Sequence, residues 1–202
     1  MEEKNNISKD VDLLFEISAF RNLDRTWKQF LNPDVANNSE HSFRVAWIAL
    51  TLARYEEDLN EEKIIKMALA HDLSESRCGD VHYLSRQYVE RNEKLAIEDM
   101  FEGTSHMIEI KSLIDEYEKR ESKESRIVKD ADNLDVQIEL RELEFKGHSM
   151  GEIFNKDRKE NVYSKLFTDT ARKFWDKICE SDPHNWHVNS KRNRHNAGDW
   201  KK

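Results

Sequence analysis

The sequence predicts an all-α protein built as a single domain, and three observations lead there. Five Gly and two Pro in 202 residues leave little punctuation for a strand-and-turn fold. Apolar residues recur at three- and four-residue steps along most of the chain. The length suits one well-buried core and is short for two full domains. Residues 1–185 are expected to form the domain and 186–202 a polar tail.

The elements follow in order. Val11, Leu14 and Phe15, then Leu23, Trp27, Phe30 and Leu31, mark a first amphipathic segment broken between Arg21 and Asp24 and ended by Asn32-Pro33-Asp34. Residues 35–39 read as a loop. Val45, Ile48, Ala49 and Leu52 make a second helix with Glu40 and His41 in its first turn. Asn60 before Glu61 and Glu62 has the chemistry of an N-cap, and Ile64, Ile65, Ala68 and Leu69 run from it toward His71-Asp72. Residues 76–85, with Gly79 and Asp80, read as a connection. Tyr88 to Phe101 and Ser105 to Tyr117 give two further helices separated at Gly103, and a long helix is expected from Ser122 to His148. A last helix through Ala171, Phe174, Trp175 and Ile178 should stop at Asp182-Pro183.

Composition removes several function classes. A net charge of −8 disfavours nucleic-acid polymers, whose binding needs clustered Lys and Arg, while leaving small anionic substrates open. Cys78 and Cys179 form neither a C-x-x-C motif nor a disulfide framework, and no stretch approaches the ~18 apolar residues of a membrane span. A cytoplasmic protein without a membrane anchor is the expectation.

Chemistry concentrates in three short pieces: Glu40-His41, His71-Asp72 with Glu75, and Lys129-Asp130-Ala131-Asp132. Two imidazoles and two carboxylates suit one divalent metal ion (Mn, Co, Mg, Fe, Ni or Zn), and four protein ligands on a six-coordinate ion leave two positions for water and substrate. A His-Asp dipeptide alone is close to chance; its placement where an apolar stripe should continue gives it weight. Asp130 and Asp135 compete with Asp132, which is preferred because Ile127, Val128, Ala131 and Leu134 flank it on the core side. Asp135 is expected beside the site or solvated. Glu75, four residues after His71 and three after Asp72, shares their helical face as a general base or water-positioning acid. Lys129, three before Asp132, places an ammonium where a phosphate needs a second cation. The bland alternatives are a surface His41, a helix-end polar pair at His71-Asp72, and solvated Glu75, Asp80 and Lys129.

These residues resemble the HD-domain phosphohydrolase superfamily, whose ligands follow the order His, His-Asp, Asp on separate helices. The resemblance implies His41, His71, Asp72 and Asp132 as ligands of a central metal site. Asn38-Ser39-Glu40-His41-Ser42, His71 to Glu75, Gly79-Asp80 and Val128 to Asp132 are most similar to the 5'-deoxynucleotidase branch, over roughly Arg25 to Leu140. That implies a phosphomonoesterase acting on (deoxy)nucleoside 5'-monophosphates, with Glu75 and Asp80 catalytic. It also implies Arg25 and Trp27, here separated by Thr26, contacting phosphate and sugar. Relatives of this kind are commonly homodimers. The competing expectations are hydrolysis of another phosphate ester, a di-iron oxygenase recruiting His82 and His106, and a binding protein with a dead site.

Overall fold

A computed structural model describes residues 6–31 and 35–191. The described residues form helices and short turns with no strand; Asp24 and Asn37 make an isolated antiparallel bridge. Among the described residues no helix is long and apolar enough to cross a membrane. The chain divides into two compact units, Met1–Asp135 and Val136–Lys202.

In the first unit, α1 (Ile7–Ala19) is capped by Asn6 and passes into a 3-10 turn at Phe20–Asn22, the break expected near Arg21. A single helical turn, α2 (Lys28–Leu31), follows. Helix α3 (Asn38–Ala53) begins earlier than the expected loop end. Asn37 accepts from the Glu40 amide and Glu40 accepts from the Asn37 amide, so a capping box fixes the start. The Asn38 amide also donates to the Leu23 carbonyl at 3.0 Å, closing the segment between them at its ends. His41, Val45, Ala49 and Leu52 form one fully buried stripe.

Helix α4 (Glu61–Ala70), capped by Asn60, buries Ile64, Met67 and Ala68 and ends just before His71. Residues 71–74 wind with i to i−3 bonds, Leu73 to Ala70 and Glu75 to Asp72, before the short α5 (Glu75–Cys78). The expected continuous helix is thus replaced by a tighter turn. At three residues per turn Asp72 and Glu75 still face the same way.

Gly79 then reverses the chain at φ +73°, a region open to glycine without strain. Helix α6 (Glu93–Phe101) starts at its Asn92 cap, so residues 88–92 are not helical as expected. Helix α7 (Met107–Lys119) ends at Arg120 in a left-handed conformation. Leu13, Phe20, Ala70, Leu73, Ile97, Met100 and Phe101 form one apolar cluster under these elements.

Helix α8 (Lys123–Phe145) carries Asp130, Asp132 and Asp135 with its buried stripe Ile127, Val128, Ala131 and Leu134. In the second unit, α9 (Ser149–Asn161) is an element the apolar pattern does not reveal. It buries Gly151, Phe154 and Arg158, whose guanidinium lies over the Trp175 ring at 5.3 Å. Helix α10 (Asp169–Glu180), capped by Thr168, stops before Asp182-Pro183 as expected. The expected tail opens with the exposed turn α11 (Asn185–Val188); its remainder, 192–202, lies outside the described residues.

Candidate metal centre

Helix α3 delivers His41, the turn after α4 delivers His71 and Asp72, and α8 delivers Asp132. Nε2 of His41 lies 3.3 Å from Nε2 of His71, 3.4 Å from Asp72 Oδ2 and 3.3 Å from Asp132 Oδ1. Nε2 of His71 lies 3.2 Å from Asp72 Oδ2. Donor atoms of His41, His71 and Asp132 all fall within 4.8 Å of one another. Asp72 touches both imidazoles but also accepts from Arg25 at 3.2 Å, so it sits at the edge of this group.

The other ring nitrogens fix which lone pairs face the cluster. His71 Nδ1 donates to the Ala68 carbonyl at 2.8 Å, and a carbonyl only accepts. His41 Nδ1 donates to Asp135 Oδ2 at 2.6 Å. Burial tends to raise the Asp135 pKa, but the bonds from His41 and from Arg44, whose Nε and terminal nitrogen both reach the carboxylate, hold it below the ordinary range. Asp135, expected beside the site or solvated, is therefore the buried partner that orients the His41 ring.

Both imidazoles thus aim Nε2 lone pairs at each other and at two carboxylates, an arrangement that requires positive charge at its centre. Burial and Arg25 oppose protonation of His41, yet contacts with Asp132, Asp135 and Asp72 push its pKa well above the usual value. Asp72, despite burial, is held well below the carboxylate range by His71 and His41, and Asp132, despite burial, by Lys129 and His41. Two imidazoles and two carboxylates at this spacing fit a divalent ion, with protons as its competitors.

A cleft of about 210 Å³ opens beside the cluster and brings the remaining sequence-predicted residues, Glu75, Asp80, Arg25, Trp27 and Lys129, against Asp72 and Asp132. A larger hollow of about 660 Å³ along α7 contains none of them. Glu75 is buried, and that burial, reinforced by the Asp72 and Asp80 charges, raises its carboxyl to about 8. Asp80 Oδ2 accepts the Thr26 amide at 2.8 Å and lies 3.9 Å from Arg25 Nε, so it anchors the Arg25-Thr26-Trp27 segment. Lys129 donates to Asp132 Oδ2 at 2.7 Å.

Two residues on Glu75 escaped the sequence reasoning. Asn38, fully buried, donates to Glu75 Oε2 at 2.6 Å, and Arg91 reaches Oε1 at 3.5 Å and the Gly79 carbonyl at 3.2 Å. Asn38 follows an N-capping Asn and reads as part of the same cap; Arg91 stands in a polar run with no periodic signal. The histidines needed by an oxygenase do not join the cluster. His82 Nδ1 accepts the Leu84 and Ser85 amides and its Nε2 meets Ser85 Oγ, making it a loop histidine, while His106 is exposed.

An all-helical scaffold that gathers a His, a His-Asp pair and an Asp into one largely buried donor cluster defines a class of helical protein built around a candidate metal centre. The chain belongs to the HD domain family, whose model matches residues 17–175. It is 35% identical over 111 residues to the 5'-deoxynucleotidase HDDC2 of Danio rerio, covering 52% of this chain and 54% of that protein. It is 37% identical over 124 residues to a 5'-deoxynucleotidase of Erwinia tasmaniensis, covering 54% and 61%. The chain spans little more than half the length of these curated relatives. The "Predicted metal-dependent phosphohydrolase" of Magnetospirillum magnetotacticum MS-1 shares the fold at a TM-score of 0.69 and 21% identity, over 88% of this chain and 97% of that one.

Proposed function

We propose that this chain is a metal-dependent phosphomonoesterase acting on nucleoside 5'-monophosphates, with a preference for deoxyribose. The reading is carried by one observation: a buried acid, Glu75, shares a cleft with Asp72 and Asp132, the carboxylates of a His, His-Asp, Asp cluster that calls for a cation. The relatives named 5'-deoxynucleotidase support the substrate class.

His41, His71, Asp72 and Asp132 would hold one divalent ion of the Mn, Co, Mg, Fe, Ni or Zn group. Such an ion acidifies a bound water and polarises a phosphoryl oxygen. Glu75 takes the proton of the attacking water, positioned for it by Asn38 and Arg91. The departing alkoxide needs a proton, which Glu75 returns. Asp80 serves by fixing Arg25 and the Thr26 backbone, so that Trp27 walls the cleft near the sugar. Lys129, on Asp132, keeps an ammonium at the phosphate end. The HD domain is taken as 1–185 with 186–202 a tail, in a cytoplasmic homodimer that binds no nucleic-acid polymer and no membrane.

A phosphate-release screen of ribo- and deoxynucleoside mono- and triphosphates, with Mn, Co, Mg or no added metal, tests this directly. Metal-dependent release from deoxynucleoside monophosphates is expected. Release confined to triphosphates, or oxygen consumption with iron, overturns it. His71→Ala should lose metal and turnover together, whereas Glu75→Ala should keep its metal and lose roughly 10²–10⁴ in turnover.

A further inference from the structure

Resting on the phosphomonoesterase reading, we propose that Arg86 is the anion subsite of the cleft and binds the phosphate of the substrate. Three cationic side chains line the cleft: Arg25, Arg86 and Lys129. Arg25 is buried on Asp72 and Asp80, and Lys129 donates to Asp132. Both are therefore held by carboxylates, two of which belong to the metal cluster. A phosphate approaching either one must compete with a carboxylate already in place.

Arg86 is differently situated. Its Nε donates to the backbone carbonyl of Val81 at 2.7 Å, a neutral group, and among the described residues no carboxylate pairs with it. The Nε bond orients the guanidinium while its two terminal nitrogens keep the fork that matches a phosphate bidentately. The loop that carries it is built rather than loose. His82 accepts two amides of the loop, Ser85 Oγ bonds its Nε2, the Arg86 amide donates to the His82 carbonyl, and Phe30 packs edge-on against the His82 ring at 4.9 Å. An oriented cation without a carboxylate partner, on a preorganised loop beside the metal cluster, adds to the carboxylate-bound Lys129 the guanidinium fork that a dianionic group needs.

The test compares wild type, Arg86→Gln and Arg86→Lys as Mn-loaded full-length protein, with a deoxynucleoside 5'-monophosphate as substrate. Arg86→Gln is expected to raise KM about tenfold with kcat changed less than about twofold, and to weaken inhibition by inorganic phosphate by the same factor. Inhibition by the free deoxynucleoside should stay unchanged, and Arg86→Lys should fall between. Unchanged KM and phosphate inhibition overturn the proposal. So does an equal loss for the deoxynucleoside, which marks damage to the loop. Should wild type release no phosphate from any monophosphate, the parent reading fails, and calorimetric titration of inorganic phosphate decides the subsite alone. A tenfold weaker affinity in Arg86→Gln upholds it, and equal affinity or no binding by wild type overturns it.

Discussion

At the scale of single residues, Glu75 concentrates the electrostatic cost of the site. Burial, with Asp72 and Asp80 nearby, raises its carboxyl to about 8, so the metal-free folded chain holds a proton there that the unfolded chain releases near its ordinary value. Because the folded state binds more protons between those two values, stability falls as pH rises through that window. Metal-free Glu75→Gln should therefore gain on wild type from about pH 5 to pH 8, by roughly 1–3 kcal/mol at the upper end. Urea unfolding across this range measures the difference, and a gap independent of pH removes the burial argument. His41 and His71 of the candidate cluster were legible in the sequence because each stands where an apolar stripe should continue: His41 ahead of Val45, and His71 after Ile64 and Ala68. Asn38 and Arg91 were not, since what they touch comes from distant sequence and neither interrupts a pattern.

At the scale of elements, α3, α4 and α8 were readable from their apolar stripes, as along Ile127 to Leu134, and α4 from its Asn60 cap as well, whereas the Asn37 cap that starts α3 read as loop. Helix α9 was not, because Gly151 and Arg158 occupy two of its buried positions and neither registers as core. Gly151 is there for contact. A Cβ at that position would stand 2.9 Å from the Leu140 carbonyl oxygen and 3.0 Å from the Glu144 nitrogen, both backbone atoms of α8. Gly151→Ala should therefore destabilise by about 1–3 kcal/mol, despite the better helix propensity of alanine. A urea midpoint equal to or above that of wild type would show that α9 does not need this close approach. The turn at 71–74 was misread for another reason: helical periodicity cannot distinguish i−4 from i−3 bonding over four residues.

At the scale of the whole molecule, scarcity of Gly and Pro together with the three- and four-residue apolar spacing named the fold class, and no strand contradicts it among the described residues. A ligand that binds only the folded chain stabilises it by mass action, and a cluster wanting positive charge makes the metal such a ligand. At a hundredfold excess over its Kd, Mn should add about 2.7 kcal/mol, or roughly 5–10 °C in Tm, a gain that a chelator reverses and His71→Ala abolishes. An unchanged melting curve would mean that the cluster does not hold the ion.

The staple joining Leu23 and Asp24 to Asn37 and Asn38 has a consequence for how such proteins diversify. The chain leaves and re-enters the scaffold at one place, so the stretch bearing Arg25, Thr26 and Trp27 can change length without moving its ends. Lengthening such a loop costs little, about 0.6 kcal/mol per doubling. Sequence changes can accumulate in this stretch while α1 and α3, and with them His41, stay where they are.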